Sequence, residues 1–181
     1  MKWHGHVLIA LLAAALCVMA PVSVPLGTIP VTLATLCIYL AAGLLGPWRG
    51  VSAVGLYLML GAVGVPVFAG FSAGFPVLFG PTGGFLWGYV PCVMVAGLLC
   101  RVGRPAWTPL WLFCGTAALY AVGMVWLWLS TDLSLGGAGM VVLPTLPGEA
   151  VKIAVATALI LPLRGRVNRL LSAGVKASDT V

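Results

Sequence analysis

The chain has 181 residues, of which 62% are hydrophobic and only 7% charged, with a mean hydropathy of +1.17. A water-soluble domain carries roughly a quarter of its residues charged, so this composition excludes a soluble globular domain and makes lipid the solvent. The net charge of +6 does not mark a nucleic-acid binder, because the basic residues are spread over separate gaps rather than gathered in one patch.

At roughly 20 residues per span, the length accommodates about six helices as a single membrane domain, 1–181, with no appended soluble domain. The first helix is expected over 7–20. It resembles a secretory signal, but Pro21 stands just after the candidate cut, and the segment is read as a retained helix. Pro21, Pro25, Gly27 and Pro30 make the first loop non-helical. A second helix is expected over 31–45, ending at Gly46-Pro47, and a third over 51–65 after a turn at Trp48-Arg49-Gly50. From Pro66 to Gly84 glycine and proline are too dense for a plain span. Irregular backbone at membrane depth survives only when buried in protein or lining a cavity. Further helices are expected over 84–100, 107–129 and 147–162, the last opened by Pro147 and closed by Pro162.

Lys and Arg occupy alternate gaps. Lys2 precedes the first helix, Arg49 lies between the second and third, and Arg101 and Arg104 lie between the fourth and fifth. Arg164, Arg166, Arg169 and Lys176 follow the sixth. The intervening gaps, around Pro21–Pro30, Gly70–Gly83 and Ser130–Gly148, carry none. The positive-inside rule then puts both termini in the cytoplasm and the loops without Lys or Arg outside. Lys152 is the one cation on the wrong side of this pattern.

Glu149 and Lys152 stand three apart at the start of the last helix and share a face. Ionisable groups inside a span are expensive and by default mark a ligand or ion path. The competing reading has Glu149 complementing the helix N-terminus and Lys152 reaching out to the headgroups. Gly80-Pro81-Thr82-Gly83-Gly84 leads into the fourth helix. Its backbone N–H groups and the Thr82 hydroxyl form a polar cradle, or Thr82 is merely a cap and Gly80, Gly84 and Gly88 serve close packing. Trp87 follows the block and is placed either to stack on a flat ligand or to pack as a belt residue. Ala10 and Ala14 give a small-xxx-small stripe on the first helix, suited to a neighbouring helix or another subunit.

Other chemistry is excluded. The five cysteines form no CxxC pair and read as packing residues. His4 and His6 are the only histidines, and no metal site or cofactor is expected. Gly70-Phe71-Ser72-Ala73-Gly74 fits the G-x-S-x-G hydrolase pattern, but its serine lies about a bilayer away from both histidines. There is no Walker A motif, so the chain is not expected to bind and split ATP by that route, and no enzyme chemistry is read in it.

Tyr57-Leu-Met-Leu-Gly61-Ala-Val-Gly64-Val-Pro66-Val-Phe68-Ala-Gly70, followed by Leu78-Phe-Gly80-Pro81-Thr82-Gly83-Gly84-Phe85-Leu-Trp-Gly88, resembles the BioY family. Val24–Leu33 resembles its first external loop, and Leu146-Pro147-Gly148-Glu149-Ala-Val-Lys152 its acidic-x-x-Lys signature. BioY proteins are the biotin-binding S components of energy-coupling-factor (ECF) transporters. The resemblance implies an all-α integral membrane protein with the six-helix S-component fold, multi-pass in the bacterial cytoplasmic membrane. It implies capture of biotin from outside, by Thr82, Gly83, Gly84, Trp87, Glu149 and Lys152. It implies coupling to a transmembrane T component and ABC-type ATPases, with Ala10 and Ala14 as the coupling surface, and membrane lipid as surroundings. Three positions depart from the family pattern: Ala34 replaces a frequent glutamine, Glu149 an aspartate and Phe85 a tyrosine. Alternatives are an S component for thiamin or riboflavin, or a non-transporting assembly subunit.

Overall fold

The computed structural model describes residues 3–26, 29–131 and 135–176. Apolar runs become helices because a backbone in lipid must satisfy its own hydrogen bonds. Helix α1 spans Trp3–Met19, α2 spans Ala34–Leu40 and continues as a π-helical turn Ala41–Leu45, and α3 spans Pro47–Val63. The short α4 is Phe75–Phe79, followed by α5 over Gly83–Val102 and α6 over Thr108–Ser130. The short α7 is Leu135–Val142, and α8 spans Leu146–Lys176. Gly83–Val102, Pro105–Ser130 and Leu143–Val167 are long and apolar enough to cross a bilayer, while Gly5–Met19 and Ala34–Leu45 are shorter apolar helices.

Several boundaries differ from expectation. The second helix does not begin at 31. Residues Ser23–Leu26 (β1) and Ile29–Thr32 (β2) form an antiparallel hairpin, and α2 starts at Ala34. Leu33 N–H donates to the Val22 carbonyl at 3.4 Å, which makes that pair a hydrogen-bonded one. Alternation then puts Pro25 opposite Pro30 in a non-bonded pair, where a missing N–H costs nothing. The third helix starts at Pro47 rather than 51, because the whole reversal is made by Gly46 at φ 77. Pro162 does not end the last helix, which runs on to Lys176; in a spanning helix one lost backbone bond is tolerated. The stretch without Lys or Arg between the fifth and sixth spans also contains α7.

Helices α5 and α6 pack closely. A Cβ on Gly88 would lie 2.9 Å from the Leu119 carbonyl, and one on Gly115 would lie 2.8 Å from the Cys92 carbonyl. Small residues let backbones meet in this way in lipid, where dispersion contacts replace the hydrophobic effect as the drive for association. The fully buried core includes Tyr39, Tyr57, Phe68, Leu16, Ile38, Leu112 and Ile160.

The described arginines gather at one end. Arg49 opens α3 and lies over Gly5 of α1, Arg101 lies in the last turn of α5 with Arg104 just beyond it, and the Arg164 guanidinium donates to the Cys100 carbonyl. Lys2 and the Lys176 side chain lie outside what is described. The opposite end holds the hairpin and the glycine-rich loop. Gly70 N–H donates to Pro21 O at 3.2 Å, Gly74 N–H to Gly61 O at 2.7 Å and Trp126 Nε1 to Gly80 O at 3.0 Å.

Candidate functional site

About 9 Å along α8 from its first residue, Lys152 turns inward instead of out to the headgroups. It is 8% exposed and Glu149 5% exposed, so both charges are inside the bundle. Lys152 Nζ lies 2.8 Å from Glu149 Oε1. The spacing of three residues along a helix makes this contact local, but burial demands further partners, since an unpaired charge in the interior is costly. Helix α2 supplies them. Thr35 of α2 donates to Glu149 Oε1 at 3.1 Å and accepts from Lys152 Nζ at 3.0 Å. Tyr39, one helical turn further on, donates to Glu149 Oε2 at 2.7 Å. Its hydroxyl also lies 2.7 Å from Thr116 Oγ1 of α6. The cluster thus joins α2, α6 and α8, and no buried polar side-chain atom in it lacks a partner.

Around this cluster stand the other tyrosines. The chain has four, at Tyr39, Tyr57, Tyr89 and Tyr120, and all are buried. Tyr89 and Tyr120 are within electrostatic reach of Glu149, and Tyr57 of Tyr89. Tyr120 shares a 2.8 Å hydrogen bond with Thr145, just before α8. Phe85 meets the Tyr120 ring edge-on with centroids 6.2 Å apart. The space beside Phe85 exists because Gly123 has no side chain; a Cβ there would lie 2.4 Å from the ring.

The glycine block is placed differently. Thr82 is the N-cap of α5, but its side chain makes no cap bond. A Cβ on Gly83 would lie 2.0 Å from the Leu78 carbonyl, and one on Gly84 would lie 2.1 Å from Trp126 Cβ. The glycines therefore let α4 and α6 close onto the start of α5. Trp87 is 41% exposed, donates its indole N–H to Leu78 O at 3.2 Å and leans on Phe79. Among the described residues, the hydrogen-bond partners of Glu149 and Lys152 are Thr35 and Tyr39 as well as each other, and the block is not among them.

On α1, Ala10 and Ala14 both face outward, whereas Ala13 and Leu16 are buried. The Ser72 hydroxyl donates to Ala69 O at 2.8 Å, in the loop tied to the end of α1. His6 lies at the other end of that helix, about 20 Å away along the rise, too far to act as a base for this serine.

A bundle of long apolar helices with an ion pair sealed in its interior, at the end away from its arginines, is a polytopic membrane protein. The match to the BioY family covers residues 1–169. A probable biotin transporter BioY of Pyrococcus horikoshii is 36% identical over 166 residues, spanning 91% of this chain and 99% of that one. A biotin transporter BioY of Rhodobacter capsulatus is 37% identical over 150 residues, 74% of this chain and 78% of the relative. The crystal structure of the S-component for biotin from an ECF-type ABC transporter superposes with a TM-score of 0.84 at 24% identity, covering 91% and 92% of the two chains. The architecture is therefore that of an S component. The chain belongs to the BioY family.

Proposed function

We propose that this chain binds biotin with high affinity and brings it across the cytoplasmic membrane as the substrate-specific S component of an ECF transporter. The observation that carries the reading is the buried Glu149–Lys152 pair, held by Thr35 and Tyr39 at the end of the bundle away from the arginines. Positive charge favours the cytoplasmic side, so this end faces outward and both termini face in.

The leftover hydrogen-bonding capacity decides which part of biotin meets the pair. A carboxylate offers about four lone-pair sites and an ammonium three donors. Three of Glu149's sites and two of Lys152's donors are occupied within the protein. Among the described residues that leaves one acceptor site on Oε2 and one donor on Nζ, a set that suits an N–H and a C=O of a urea ring. Lys152 is already neutralised by Glu149, so the ligand's carboxylate is better left near the mouth. Thr82, Gly83 and Gly84 shape the roof by letting Leu78 and Trp126 close over α5, and Trp87 braces that turn from the flank. The exposed Ala10/Ala14 stripe is the surface offered to a transmembrane T component, whose ATPase partners supply the energy.

Radiolabelled biotin binding to the purified protein in detergent tests this, with thiamin and riboflavin as competitors. Glu149→Gln should weaken binding more than tenfold, because a buried polar contact to a charged group is worth about 1.5–3 kcal/mol. Tight binding of another vitamin, or of none, would remove the biotin assignment.

A further inference from the structure

Three contacts in the buried cluster compete for two hydroxyl hydrogens. Tyr39 Oη lies 2.7 Å from Glu149 Oε2 and 2.7 Å from Thr116 Oγ1, and Thr116 Oγ1 lies 2.9 Å from Leu112 O. Each hydroxyl has one hydrogen to give. If Tyr39 gave its hydrogen to Thr116, phenolic lone pairs would face a carboxylate oxygen at 2.7 Å. That arrangement is repulsive, so Tyr39 donates to Glu149. Thr116 must then donate to Tyr39. The Leu112 carbonyl loses little, because within α6 it already accepts a helical N–H.

We infer that Thr116 and Tyr39 form a directed donor chain, Thr116 to Tyr39 to Glu149, that orients the Glu149 carboxylate for the ligand. The two are positioning residues: they act through Glu149 and need not touch the ligand. The chain runs from α6 through α2 onto α8 and grips Oε2, while Thr35 and Lys152 together grip Oε1. The carboxylate is thereby fixed at both oxygens, and the lone pair on Oε2 that no described residue occupies points one way. Each donor in such a chain polarises the next, which strengthens the whole. Without Tyr39 the carboxylate keeps its charge and its contacts at Oε1, but Oε2 is no longer held. This inference rests on the proposed ligand site at Glu149.

The test uses a peculiarity of the composition: Glu149 is the only glutamate, and the chain contains no glutamine. Protein labelled with 13C at the glutamate side-chain carboxyl therefore gives one such signal, read without any ligand. Tyr39→Phe, which keeps the ring and removes the hydroxyl, should move that signal. Thr116→Val should move it in the same sense by less, and Thr116→Ser should restore it. Biotin affinity supplies the second arm. Tyr39→Phe should weaken binding about tenfold in the otherwise native protein and less than twofold in Glu149→Gln, as expected when two residues share one network. An unmoved signal in Tyr39→Phe, or an equal loss of affinity in both backgrounds, overturns the positioning role. Native protein that binds no biotin overturns the biotin reading instead, and the ligand-free signal still decides whether Tyr39 orients Glu149.

Discussion

Replacing Lys152 by methionine keeps most of the length of the side chain and deletes the charge. In the native protein Lys152 Nζ and Glu149 Oε1 are 2.8 Å apart and both residues are almost wholly buried. At an effective dielectric near 20, unit charges at that distance attract by about 6 kcal/mol. Burial of the two ions costs several kcal/mol each, so the pair as a whole is close to neutral, but a lone Glu149 would keep its burial cost with no cation beside it. Breaking one partner of a buried pair costs about 3–5 kcal/mol. For a chain of this size each kcal/mol moves the melting temperature by about 2–4 °C, so Lys152→Met should lower Tm by about 6–20 °C. The double variant Glu149→Gln/Lys152→Met removes both charges while leaving an amide for Thr35 and Tyr39. It should recover to within about 1 kcal/mol of native, since buried pairs are often replaceable by neutral groups, yet it should not bind biotin. Thermal unfolding in detergent, followed by the fluorescence of the seven tryptophans, reads all three proteins. A single variant as stable as native, or a double variant as unstable as the single, would refute the claim that these charges share one buried environment.

Other outcomes follow from the same geometry. Gly84→Ala would force a Cβ to within 2.1 Å of Trp126; overpacking of this kind costs about 1–3 kcal/mol, and both Tm and biotin affinity should fall. Ala14→Leu lies on an outward face, so it should leave melting and biotin binding unchanged and abolish uptake in cells carrying the ECF partners; normal uptake would count against a coupling role for α1. Tyr120→Phe removes the 2.8 Å bond to Thr145 and should cost about 1 kcal/mol, seen as a drop in Tm with faster amide exchange at the start of α8. With the five cysteines replaced by alanine, a cysteine at Ser72 should react with an impermeant maleimide on intact cells, and one at Arg104 only after permeabilisation. The reverse pattern would invert the proposed orientation.

Much of the site was legible because its central contact is local. Glu149 and Lys152 fall three apart on one helix, and charge inside an apolar run is conspicuous wherever it occurs. The gathering of arginines at one end was likewise written in their spacing along the chain. The glycine block was less legible. Its backbone served as well for a polar cradle as for close packing, and only the approach of Leu78 and Trp126 to Gly83 and Gly84 shows how tightly these residues are packed. The hairpin was hidden because Val31 and Thr32 continue the hydrophobic run that becomes α2.

The sequence by itself determined that this is a lipid-embedded helical bundle, which end carries its positive charge, and which two ionisable groups stand together. Those properties depend on composition and on neighbours within a turn of helix. Only the tertiary structure decided that Thr35, Tyr39 and Thr116 complete the cluster, since Thr35 and Glu149 are 114 residues apart. In a soluble helix the polar side would have betrayed the inward face. Here lipid and core are both apolar, so a tyrosine turned to either leaves the same trace in the sequence, and burial was settled only when the helices packed.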